Sequence, residues 1–100
     1  MISNRFKMQA EVWCHPEAGG WHFLTLPQKE SEIIRKAFSA IKQGWGSLPV
    51  TATIGQTLWE TSIFPDSKSG SYVLPLKAEV RKKEKFGLGD TITFSIEIRV

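Results

Sequence analysis

A chain of 100 residues, 41% hydrophobic and 23% charged, is sized and composed for one globular domain, residues 1–100. That balance excludes a disordered tail, and no apolar run approaches the ~18–20 residues of a membrane helix. The formal net charge of +3 is local: Lys77, Arg81, Lys82, Lys83 and Lys85 outnumber Glu79 and Glu84, and the remaining eight basic and eight acidic residues cancel. The single cysteine, Cys14, rules out an internal disulfide framework and suits a reducing compartment. Met1 to Lys7 holds no apolar stretch of the signal-peptide kind, so a cytoplasmic location is expected.

Residues 6–14 alternate strictly, with Phe6, Met8, Ala10, Val12 and Cys14 on one face, which predicts a half-buried strand. Pro16 to Gly20 reads as a turn and Trp21 to Leu26 as a second strand, ended by Pro27. A helix is predicted from Gln28 to Gln43, with Ile33, Ile34, Ala37, Phe38 and Ile41 at helical spacing and Gly44 at its C-cap.

Leu48–Ile54 and Thr57–Ile63 flank Gly55-Gln56, and glycine in the first central position favours a type II′ hairpin. That register sets Ile54 against Thr57, Ala52 against Trp59 and Val50 against Thr61, with Trp59 assigned to the core beside the small Ala52. Pro65 to Gly70 is a loop. Tyr72 to Leu76 is a short strand whose Pro75 predicts that it runs along an edge or ends there. A brief basic helix covers Lys77 to Lys85. The last strand, Thr91 to Val100, points Ile92, Phe94, Ile96 and Ile98 inward. About six strands and two helices without a βαβ rhythm predict a mainly β fold, a small closed or double-split barrel with helices at its ends.

The order strand, Leu-Pro, helix, glycine turn, strand occurs twice. Leu26-Pro27 precedes Ile34-Arg35-Lys36, Gly46 and Val50–Ile54; Leu74-Pro75 precedes Val80-Arg81-Lys82, Gly89 and Ile92–Ile98. The barrel is therefore expected to be pseudo-duplicated. The second copy, from Val73 to Lys82 with Gly89-Asp90-Thr91-Ile92, resembles the swapped-hairpin unit of AbrB-type transition-state regulators, whose barrels bind DNA. It departs from that unit by an extra residue before Phe86-Gly87 and a poorly amphipathic helix.

A broader resemblance rests on Gly20-Trp21-His22-Phe23, Gly46 to Val50, Trp59 to Pro65, Gly70 to Pro75, Lys77, Val80-Arg81-Lys82 and Gly89-Asp90. Together they are similar to DUF1905, a family of uncharacterised bacterial and archaeal domains. That resemblance implies a double-split β-barrel and supplies no catalytic residues. Some longer members resemble a fusion with a bacteriocin-protection (OmpD-associated) domain, which implies a protein partner for a chain that lacks it.

No catalytic constellation emerges. Cys14 and His22 fall opposite each other across the first turn, as a nucleophile with its base or a ligand pair would, but only Glu17 could join them. A packed thiol and a hydrogen-bonded histidine account for both, so neither metal nor cofactor is expected. Gly44-Trp45-Gly46 and Gly87-Leu88-Gly89 lack the lysine of a phosphate loop. The sequence thus points to a non-catalytic interaction module.

Two surfaces are candidates for that role. Trp13, Trp21 and Phe23 could form an exposed aromatic patch for a protein or a base, or a second core layer under a helix. Arg35, Lys36, Lys77, Arg81 and Lys82 could form a basic face for nucleic acid or a partner if the two copies align, or a solvated surface with intrahelical pairs such as Glu79–Lys83.

Overall fold

The computed structural model describes residues 4–15, 17, 20–38 and 46–99. Its elements run β1 (Arg5–Cys14), β2 (His22–Thr25), α1 (Gln28–Ala37), β3 (Leu48–Ile54), β4 (Thr57–Asp66), β5 (Ser71–Leu76), α2 (Ala78–Glu84) and β6 (Thr91–Ile98). The strands close into a barrel in the order β1-β2-β5-β4-β3-β6, every neighbouring pair antiparallel. The mainly β barrel with two helices expected from the sequence is the fold found. Pro16, Ala18, Gly19, Ile41, Gly44 and Trp45 lie outside the described residues. No described helix is long and apolar enough to cross a membrane.

Alternation sets the inside of the barrel. Met8, Val12, Leu24, Val50, Ala52, Ile54, Ile63, Leu74, Phe94, Ile96 and Ile98 are buried in one core, while Arg5, Lys7, Gln9 and Glu11 face outward from β1. Ile34 of α1, the C-cap residue Phe38 that follows it and Val80 of α2 join that core. Ile33 remains exposed at 43%: α1 offers the barrel a narrow stripe carrying Ile34 and Phe38, and the neighbouring position falls outside it.

The β3–β4 hairpin has the predicted register, Ile54↔Thr57, Ala52↔Trp59 and Val50↔Thr61. Gly55 has φ +59° and Gln56 has no positive φ, the pattern of a type II′ turn. A side chain at Gly55 would also run into the Glu84 carboxylate, which accepts a 2.7 Å hydrogen bond from Thr57 Oγ1 and ties α2 to the hairpin. Glu84 is thereby engaged across the fold. Trp59 is on the inner face but half-buried against the core, and its Nε1 is enclosed without a partner. The predicted full burial is therefore not met: Trp59 packs against the buried cluster without being enclosed by it.

Of the two expectations for Pro75, the edge position fails, while β5 does end one residue after it, at Leu76. Pro75 pairs with Phe23 inside a closed barrel, between β2 and β4 in strand order, so β5 is no edge strand. The described β4–β5 ladder, however, stops at Phe64↔Val73. Proline's missing N–H falls where β5 has a ladder partner on one side only, which makes it tolerable there.

The duplication appears as a pseudo-twofold of the strand order. Exchanging β1 with β4, β2 with β5 and β3 with β6 returns the same closed ring. The halves meet antiparallel at two places, β2–β5 around Thr25↔Val73 and β3–β6 around Ala52↔Ile96.

Because Trp59 is half-buried with an orphaned N–H, Trp59→Ala should cost about 2–3 kcal/mol, below the 3–5 of a fully buried tryptophan. Lys83→Ala, at an exposed position of α2, should cost less than about 0.5 kcal/mol. Urea unfolding of both variants measures the difference.

Candidate functional site

The outer face of β1-β2-β5-β4 carries an apolar surface that the registers assemble. Trp13↔Phe23 and Phe23↔Pro75 form one row across three strands. Thr25↔Val73 and Val73↔Phe64 form the next. The Trp13 and Phe23 rings lie 5.0 Å apart, and Trp21 stacks on Phe23 at 6.3 Å and 19°. Trp13 Nε1 donates to Thr25 Oγ1 at 2.8 Å, which fixes its ring on the sheet. None of these three aromatics belongs to the barrel core; Trp13 and Phe23 are half-buried and Trp21 is 59% exposed. Of the helices, α1 packs against β5 and α2 against β4.

Where the β4–β5 ladder ends, a groove of about 740 Å³ opens. Trp21 and Phe64 line it, with Pro75, Leu76 and Ala78 as further apolar surface and Lys77, Glu79 and Arg81 as its charged groups. Phe64, 41% exposed, was not picked out by the sequence. The available signal was the break in alternation at Ile63-Phe64, where two large apolar residues in succession must face opposite sides of a strand.

Cys14 and His22 pair in register as expected. His22 Nδ1 lies 2.5 Å from Gly20 O and its Nε2 lies 3.5 Å from an Arg81 Nη, so the ring donates at Nδ1 and accepts at Nε2. The Cys14 thiol is directed at His15 O, 3.8 Å away. Among the described residues no three His, Cys, Asp or Glu side chains gather as metal ligands do.

Arg35 and Arg81 engage opposite ends of β5. Arg35 donates to Gly70 O at 2.7 Å and lies 5.9 Å from the centre of the Tyr72 ring, at the start of β5. Arg81 reaches His22, which pairs with Leu76 at the end of β5. Five strand steps, roughly 17 Å, separate those ends. Lys36 is exposed on α1; Lys77 lies on the aromatic groove; Lys82 lines a second groove of about 410 Å³ with Arg81, Lys85, Phe86 and Asp90.

With this geometry in place the protein is classed as a small closed antiparallel β-barrel with an internal pseudo-twofold. Residues 8–96 match the family described as Domain of unknown function (DUF1905), and the chain belongs to it. No curated protein matches the chain.

Burial raises the Tyr72 phenol above its usual 10.0, and the Arg35 charge works in the opposite direction. A raised folded-state value means that Tyr72 contributes its full stability below pH 10 and loses it as pH rises through the folded value. Wild type should therefore lose stability relative to Tyr72→Phe as pH rises above 10. Urea midpoints of both proteins at pH 8, 10 and 11 check this.

Proposed function

We propose that this domain is a non-catalytic protein-interaction module that docks a partner on the outer apolar face, in the groove between Trp21 and Phe64. The observation that carries this reading is the contiguous aromatic surface at the groove, with Trp21 more than half exposed. Soluble domains seldom leave such a patch open without use, and exposed tryptophans are favoured anchors at interfaces. A separately encoded bacteriocin-protection-type domain is the partner that the fusion habit of similar longer proteins suggests, in a cytoplasmic setting.

A second reading, binding of nucleic acid in the manner of AbrB-type regulators, draws on the cluster Arg81, Lys82 and Lys85 at the second groove. It ranks lower because Arg35 is engaged at the far end of β5 and adds nothing to that cluster.

Calorimetric titration with a bacteriocin-protection-type domain from the same genome tests the first reading. Binding should weaken by at least about tenfold in Trp21→Ala and hold in Lys83→Ala. Absence of binding, or equal affinity for wild type and Trp21→Ala, would contradict it.

A further inference from the structure

The two halves of the barrel use their repeated arginines differently. In each copy an apolar residue enters the core, Ile34 or Val80, and the arginine that follows it reaches the strand start that the pseudo-twofold assigns. Arg35 reaches the residue before β5, and Arg81 reaches the first residue of β2. Arg35 is satisfied there by the chain itself. The turn after Asp66 is held by hydrogen bonds from Ser69 and Gly70, and it presents Gly70 O to the guanidinium.

Among the described residues Arg81 has no such carbonyl acceptor. The β1–β2 connection is longer than the β4–β5 turn and carries Trp21. The hydrogen bond of Arg81 is the 3.5 Å contact to His22 Nε2, and its Nε is enclosed without a partner. Each guanidinium has five N–H donors and one hydrogen bond. Arg35 meets a backbone carbonyl at 2.7 Å, whereas Arg81 has a long contact to a ring nitrogen and a buried Nε with no partner among the described residues. It also lines both grooves. Lys77, Arg81, Lys82 and Lys85 outweigh Glu79 and Asp90 around it, and Asp90 already accepts from Gly87 N at 2.8 Å.

We infer that Arg81 receives a carboxylate of the partner segment, in the role that Gly70 O plays for Arg35, while an apolar side chain of that segment lies between Trp21 and Phe64. The inference rests on the docking reading above and names its chemistry. A carboxylate matches the fork of a guanidinium and the local excess of positive charge. The apolar surface of Trp21, Phe64, Pro75, Leu76 and Ala78 suits a peptide side chain, and Glu79 disfavours a run of phosphates.

The test follows the Trp21 indole N–H and the Arg81 Nε–H in nitrogen-proton spectra of the whole chain at fixed salt. The probes are N-acetylphenylalanine, its amide, and acetyl-Phe-Glu-amide. The carboxylate probes should shift both signals and bind about tenfold tighter than the neutral amide, which should shift only Trp21. Whichever carboxylate probe binds tighter tells a chain terminus from a side chain as the source. Arg81→Gln, its fold confirmed by its amide spectrum, should lose the preference, and Arg35→Gln should keep it. Equal affinity for N-acetylphenylalanine and its amide would overturn the carboxylate while leaving the groove as a docking site. No shift of Trp21 with any probe would overturn the docking reading as well. Stronger shifts of both signals by a ten-residue oligothymidine would overturn the choice of a protein partner.

Discussion

Closure of the barrel across its pseudo-twofold is the constraint on which the rest depends. Neither copy of the repeat can bury its apolar faces alone, because β2 needs β5 and β3 needs β6 as neighbours. Thr25↔Val73 and Ala52↔Ile96 are where the copies join, and the residues flanking them, Leu24, Leu74, Val50 and Ile98, are fully buried. Once the ring is closed there is no barrel edge left to protect. The helices then have defined tasks. Ile34 and Phe38 on one side, and Val80 on the other, supply apolar groups that the strands do not.

The local parts of this design were legible in the sequence because they depend on period and turn chemistry. Strict alternation placed β1 and β6, and Gly55-Gln56 fixed the β3–β4 register to the residue. The Leu-Pro repeat anticipated the pseudo-twofold. What escaped depends on strand order, which is non-local. Pro75 could not be placed beside Phe23 without knowing that β2 neighbours β5. Trp59 was read as buried because the pairing partner was right, but the pairing does not say how far the indole extends. The Trp13, Trp21 and Phe23 grouping was visible as composition, whereas Phe64 and Pro75 join it only through the ring closure.

The same symmetry explains where the groove lies. Before β5, the four-residue turn Ser67–Gly70 is folded back by Asp66, and the first two residues of β5 are tied to α1: Ser31 Oγ accepts from Tyr72 N, and Ser71 Oγ donates to Gln28 Oε1. At the equivalent start of β2, His22 and Arg81 make a single long contact, and the neighbouring β4–β5 ladder has already ended. One end of the molecule is sealed by its own turn. The other presents an arginine, an exposed tryptophan and a groove.

Native-state hydrogen exchange tests closure most directly. If the two copies fold only as one ring, amides of β2 and β5 and those of β3 and β6 should exchange with one common opening free energy, equal to that of global unfolding. Ser31→Ala, which removes the buried acceptor of the Tyr72 N–H, should lower protection in both sets by the same amount. Loss of protection confined to β2, β5 and α1, with β3 and β6 unchanged, would contradict the account and make the copies separable folding units.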